Sequence, residues 1–124
     1  MRLKDILTDF RRTIVHSYQK LTRGFSDRDL WNLDYALARW LLPRIKEFRK
    51  HSEGVPGDLC WDDNSNDIPF PDAKAKWNLI LDDIEYALGA MVKEWDTVCY
   101  KDIDWDRVKK GCELLGKHLR GLWW

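Results

Sequence analysis

Asp27, Trp31 and Asp34 stand at positions i, i+4 and i+7, so a helix through them carries two carboxylates and an indole on one face. Ala38 continues that face with a small side chain and leaves room for a recess. Arg28, Arg39 and Arg44 lie nearby in the chain, and Tyr35 adds a second ring. A ring to stack on and an arginine to pair with phosphate suit a nucleotide-type anion. The candidate ligand-binding set is therefore Arg28, Trp31, Asp34, Tyr35, Arg39 and Arg44. The same residues also have a structural reading. Asp27 would serve the helix start, and Asp34 would make a buried bond to a Trp N–H or an Arg.

Other acidic groups have spacings to compare with metal sites. Asp82-x-x-Glu85 places two carboxylates one turn apart. Helical nucleoside-triphosphate pyrophosphohydrolases hold Mg²⁺ between such pairs, using an E-x-x-E as well, and this chain has no matching E-x-x-E. Asp34, Asp82 and Glu85 are the metal set of that enzyme alternative; a solvated acidic face is the other reading. Asp62-Asp63-Asn64-Ser65-Asn66-Asp67 resembles the start of an EF-hand loop, but the sixth position is Asp67 and the twelfth is Ala73. A true EF-hand needs Gly and Glu there. His16, His51 and His118 have no zinc-ligand spacing with one another or with cysteine. No nucleophile–base pair, dinucleotide fingerprint or P-loop is present. No catalytic residue, metal or cofactor is assigned, and the enzyme question leans towards no.

Four helical patterns must position these residues. The first runs from about Leu3 to Leu21, with Leu3, Leu7, Phe10, Ile14, Tyr18 and Leu21 on one face and Gly24 ending it. Arg11, Arg12, Lys20 and Arg23 make it basic, which reads as a solvated face or as one for an anion or acidic partner. The second runs from Asp27 to about His51, opened by Ser26 as N-cap with Asp29 at the capping-box position. It is apolar on two stripes and so reads as central, and Pro43 predicts a kink or break near Leu42. Residues 52–71 are a long acidic loop with no Lys or Arg. The third helix opens at Pro71-Asp72 and runs to about Trp95, on the stripe Trp77, Leu81, Ile84, Leu88, Met91 and Trp95. The fourth starts near Asp104, with Trp105, Val108, Cys112, Leu115, Leu119 and Leu122 inward. Thr97-Val98-Cys99-Tyr100 is a short strand candidate. The expected fold is all-α: a single helical domain over residues 1–124, built as a bundle of about four helices.

The chain has 124 residues, enough for one core that buries roughly two-thirds of the unfolded surface. Its formal net charge is +0, which favours neither nucleic acid nor a membrane surface as partner. Three cysteines without C-x-x-C argue against a disulfide framework. There is no signal-peptide core and no run approaching a membrane span, so the expectation is a cytoplasmic protein. The eight tryptophans are many for this length and suit either a small, heavily anchored core or a surface that stacks on a ligand. Trp77, Trp95 and Trp105 are expected inside, whereas Trp123 and Trp124 either close the core or form a homo-oligomer contact.

The run Arg23-Gly24-Phe25-Ser26-Asp27-Arg28-Asp29-Leu30-Trp31-Asn32-Leu33-Asp34, then Ala38, Leu42-Pro43-Arg44-Ile45 and Phe48, resembles a family of short proteins encoded by tailed phages and prophages. The likeness continues through Gly54-Val55-Pro56-Gly57, Trp77-x-x-Ile80-Leu81-Asp82, Gly111-x-Glu113-Leu114-Leu115-Gly116-Lys117 and Leu122-Trp123. The resemblance implies a setting rather than a mechanism: a phage product working inside a bacterium. In that setting the leading expectation is a non-enzymatic accessory protein that binds a host target, as an anti-defence inhibitor or a sponge for a small anionic nucleotide-type signal. The Mg²⁺-dependent nucleotide hydrolase and a minor structural or assembly protein are the alternatives.

Overall fold

The computed structural model describes residues 2–96 and 102–123, without the side chains of Trp95 and Asp96. Among the described residues the protein is all-α, with five α-helices and no strand beyond one isolated bridge. The strand candidate at Thr97–Tyr100, Cys99, Trp124 and the burial of Trp95 lie outside the described residues. The chain forms two compact units, Met1–Ala36 and Leu37–Trp124.

In the first unit, α1 (Leu3–Arg23) ends at Gly24, whose φ of +85° is a left-handed cap. Its N–H donates to the Lys20 carbonyl at 3.0 Å, and a side chain at this φ would be strained. Helix α2 (Asp27–Trp31) starts at Ser26, whose N–H donates to the Asp29 carboxylate at 2.9 Å. That bond holds the Asp29 carboxyl below its ordinary range. Asp27 ties the two helices together. It accepts from Gln19 Nε2 at 2.8 Å and from Arg23 Nη2 at 2.6 Å, while its own N–H donates to Gln19 Oε1 at 2.8 Å. These bonds hold the Asp27 carboxyl below its ordinary range too. No residue of α1 is buried.

The expected long central helix is two helices, which is why five are present rather than four. The break falls at Asn32 (φ −128°, ψ 58°) and not near Leu42. Asn32 suits a boundary because asparagine tolerates non-helical backbone and serves well before a helix start. Its carbonyl accepts the Ala36 N–H at 2.9 Å. Helix α3 (Leu33–His51) then continues through Pro43. Proline cannot donate to the carbonyl one turn back. Beside that gap the Arg44 guanidinium donates to the Trp40 carbonyl at 2.7 Å and lies 4.0 Å over the Trp40 ring.

The core of the second unit is built by α4 (Phe70–Asp96) on the stripe its spacing predicts. Trp77, Leu81, Ile84 and Leu88 are buried, joined by Ala38 and Ile45 of α3 and Leu59 of the intervening loop. Helix α5 (Trp105–His118) packs on α4 through a face that only partly matches the expected one: Val108 is buried and Leu115 and Leu122 pack against the core, as the spacing predicts. Its buried residues are Val108, Gly111 and His118. Trp105 is 44% exposed and belongs to the helix start rather than the core; Cys112 and Leu119 are also exposed. Gly111 sets the contact. A Cβ there would stand 2.3 Å from the Asp83 carbonyl oxygen and 2.5 Å from Ala87 Cβ, so only glycine lets the backbones approach this closely. Polar groups flank the contact. Arg107 Nε donates to Asp83 Oδ1 at 2.9 Å, Lys110 Nζ lies 3.4 Å from Asp83 Oδ2, and the Asp104 N–H donates to Tyr86 Oη at 2.9 Å.

Gly111→Ala should therefore destabilise the second unit by about 1–3 kcal/mol, read from urea unfolding. Gly116→Ala, at a helical site where an added Cβ meets nothing, should leave stability equal or slightly higher. Trp77→Ala should cost about 3–5 kcal/mol in the same measurement.

Candidate functional site

The six sequence-derived ligand residues are divided between the units. Arg28, Trp31, Asp34 and Tyr35 belong to the first, and Arg39 and Arg44 to the second. The break at Asn32 places Asp27 and Trp31 on α2 but Asp34 on α3, so the three do not share one continuous helical face. Trp31 is 79% exposed, and Arg28 and Asp34 are exposed as well. Asp34 thus makes no buried bond, contrary to its structural reading, whereas Asp27 does serve the helix start. Tyr35 is half-buried and Arg39 exposed. Arg44 is engaged by Trp40.

Asp82 and Glu85 do converge, but on an arginine. Arg49 Nη2 donates to Asp82 Oδ1 at 2.6 Å, and Nη1 donates to Glu85 Oε2 at 3.1 Å. The fork matches the i, i+3 spacing of the two acids and clamps α3 to α4. A cation between these carboxylates would first have to displace the guanidinium. Among the described residues no group of three or more His, Cys, Asp or Glu could hold a metal ion. Asp62, within the acidic loop, accepts the N–H groups of Asn64 (2.9 Å) and Asn66 (2.8 Å) and so closes a turn.

Two features were not visible in the sequence. The first is a cavity of about 300 Å³ in the second unit, lined by His51, Val55, Pro56, Trp77 and Trp123. Lys74 closes the adjoining chain by donating to the carbonyls of Ser52 (3.0 Å) and Gly54 (3.3 Å). Trp123 is 68% exposed, so the described terminal indole neither fills the cavity nor joins the core. The second feature is His118, 4% exposed, edge-on to Trp77 with ring centres 5.6 Å apart. Its Nδ1 lies 3.7 Å from Asp58 Oδ2. Burial pushes the His118 pKa down, and the Asp58 charge opposes this only in part.

A continuous exposed apolar stripe lies on α1. Leu3, Leu7, Phe10, Ile14, Tyr18 and Leu21 form the stripe that the spacing predicts, yet all are exposed, Phe10 at 63% and Leu21 at 87%. Ile6 and Val15 widen it. Lone exposed apolar residues need no explanation, but a contiguous apolar face along a whole helix marks an interaction site. No helix among the described residues is long and apolar enough to cross a membrane. No protein-family model, curated protein or solved structure matches the chain.

The depressed His118 value sets a pH dependence. Folded protein keeps the imidazole neutral while the unfolded chain takes up a proton near pH 6.5. The contribution of His118 is therefore complete above about pH 6.5 and is lost as pH falls towards its folded value. Urea-unfolding free energies should decline as pH is lowered from about 7 to 5.5, and His118→Leu should flatten that slope.

Proposed function

We propose that this chain is a non-enzymatic phage accessory protein that acts in the host cytoplasm by binding a host protein, with α1 as its docking face. The observation that carries the reading is the apolar stripe from Leu3 to Leu21, which runs the length of a helix closed by the Gly24 cap and buries none of its residues. An anti-defence inhibitor is a role such a face would serve. The phage setting rests on the resemblance of the Gly24–Asp34 and Leu42–Ile45 runs. The nucleotide-sponge reading draws less support, because its six residues are split between the two units and Trp31 stands exposed. The hydrolase alternative requires Asp82 and Glu85 free of Arg49.

Native mass spectrometry of protein purified gently from bacterial cells tests the reading. The expected spectrum shows a stoichiometric complex with a host protein. Ile14→Asp should abolish that complex while leaving the unfolding of the second unit unchanged. A retained mass of nucleotide size with no protein partner, or self-association alone, would contradict it.

A further inference from the structure

We propose that the partner lays an acidic amphipathic helix along α1 as a two-stranded coiled coil. The inference rests on the reading of α1 as the docking face and adds the chemistry of what it docks. Leu3, Leu7, Phe10, Ile14, Ser17 and Leu21 alternate by four and three residues, a 3.5-residue repeat sustained over three heptads. All five apolar members are exposed. Such a seam is about 27 Å long from Leu3 to Leu21 at 1.5 Å per residue, and its slow left-handed drift is the one a second helix follows by supercoiling. Ser17 is its one polar position, of the kind that sets register in paired helices.

The charges beside the seam choose between occupants. At the six edge positions on the helix Lys4, Arg11 and Lys20 are basic and none is acidic; Ile6, Thr13 and Tyr18 complete the set. Asp5 and Asp9 lie on the faces turned away from the seam. A second copy of α1 therefore offers no carboxylate to any of the three cations. An antiparallel copy centred on Arg11 would set Arg11 against Arg11. An acidic helix offers each of them a counter-charge, and complementary edge charges are what select partner and register in coiled coils. An anionic lipid surface fits less well, because Asp5 and Asp9 interrupt the polar face that would approach the headgroups.

Full-length protein is titrated with a labelled synthetic helix of about four heptads carrying Leu at the seam and Glu at the edges, followed by fluorescence anisotropy. A twin peptide with Lys in place of Glu and phosphatidylserine-containing vesicles are the competing probes. The Glu peptide should bind at least roughly ten-fold tighter than its Lys twin. The combined variant Lys4→Glu, Arg11→Glu and Lys20→Glu should reverse that preference, with helix content unchanged by circular dichroism. Equal binding of the two peptides, a preference unmoved by the charge reversal, or binding to vesicles alone would overturn the proposal. If the charge-reversed protein still captures a host protein that Ile14→Asp releases, α1 docks its target but not through acidic complementarity. Loss of capture in neither variant would instead remove the docking face itself.

Discussion

The close approach of α4 and α5 at Gly111 is the constraint on which the second unit depends. With backbone against Asp83 and Ala87, α5 is held at one rotation about its axis. That rotation brings Arg107 and Lys110 onto the Asp83 carboxylate and places Asp104 at Tyr86. It also carries His118, two turns further on, into the interior beside Trp77. The ion pairs add little by themselves where they are exposed. Their value lies in specifying a geometry that the Gly111 contact makes accessible.

The two units use apolar surface in opposite ways. In the second, small residues at the helix contact and large ones along α4 yield a packed interior with Trp77 at its centre. In the first, hydrogen bonds of Gln19 and Arg23 with Asp27 close the turn between α1 and α2, and the apolar stripe of α1 is left facing out. Burying five Leu, Ile or Phe side chains releases on the order of 10 kcal/mol before the costs of association are subtracted. A face of that size is a substantial driving force for binding and a liability if nothing covers it. Its basic edges restrict what can do so.

The periodic parts of the fold were legible in the chain. The α1 stripe, the Gly24 cap, the Asp27 start and the α4 stripe follow from spacing and local chemistry, which is why they agree with the structure. Three things were not legible. Pro43 carries a stronger breaking propensity than Asn32, yet the helix continues through Pro43 and is interrupted at Asn32. On α5 the spacing placed Val108, Leu115 and Leu122 inward as found, but it also pointed to Trp105, Cys112 and Leu119, which are exposed, and it missed Gly111, whose lack of a side chain sets the close approach to α4. The recess expected at Trp31 was drawn on an unbroken helix, whereas the break at Asn32 puts Trp31 and Asp34 on different helices. Spacing on α1 showed which residues share a face but could not show whether anything in the chain buries them.

Hydrogen–deuterium exchange of the isolated protein, read peptide by peptide, tests the central claim that the α1 face is uncovered until a partner arrives. Rapid exchange is expected across residues 3–23 and strong protection across α4 and α5, because unburied helical turns open far more readily than packed ones. Protection of α1 equal to that of α4 in the monomer would contradict it.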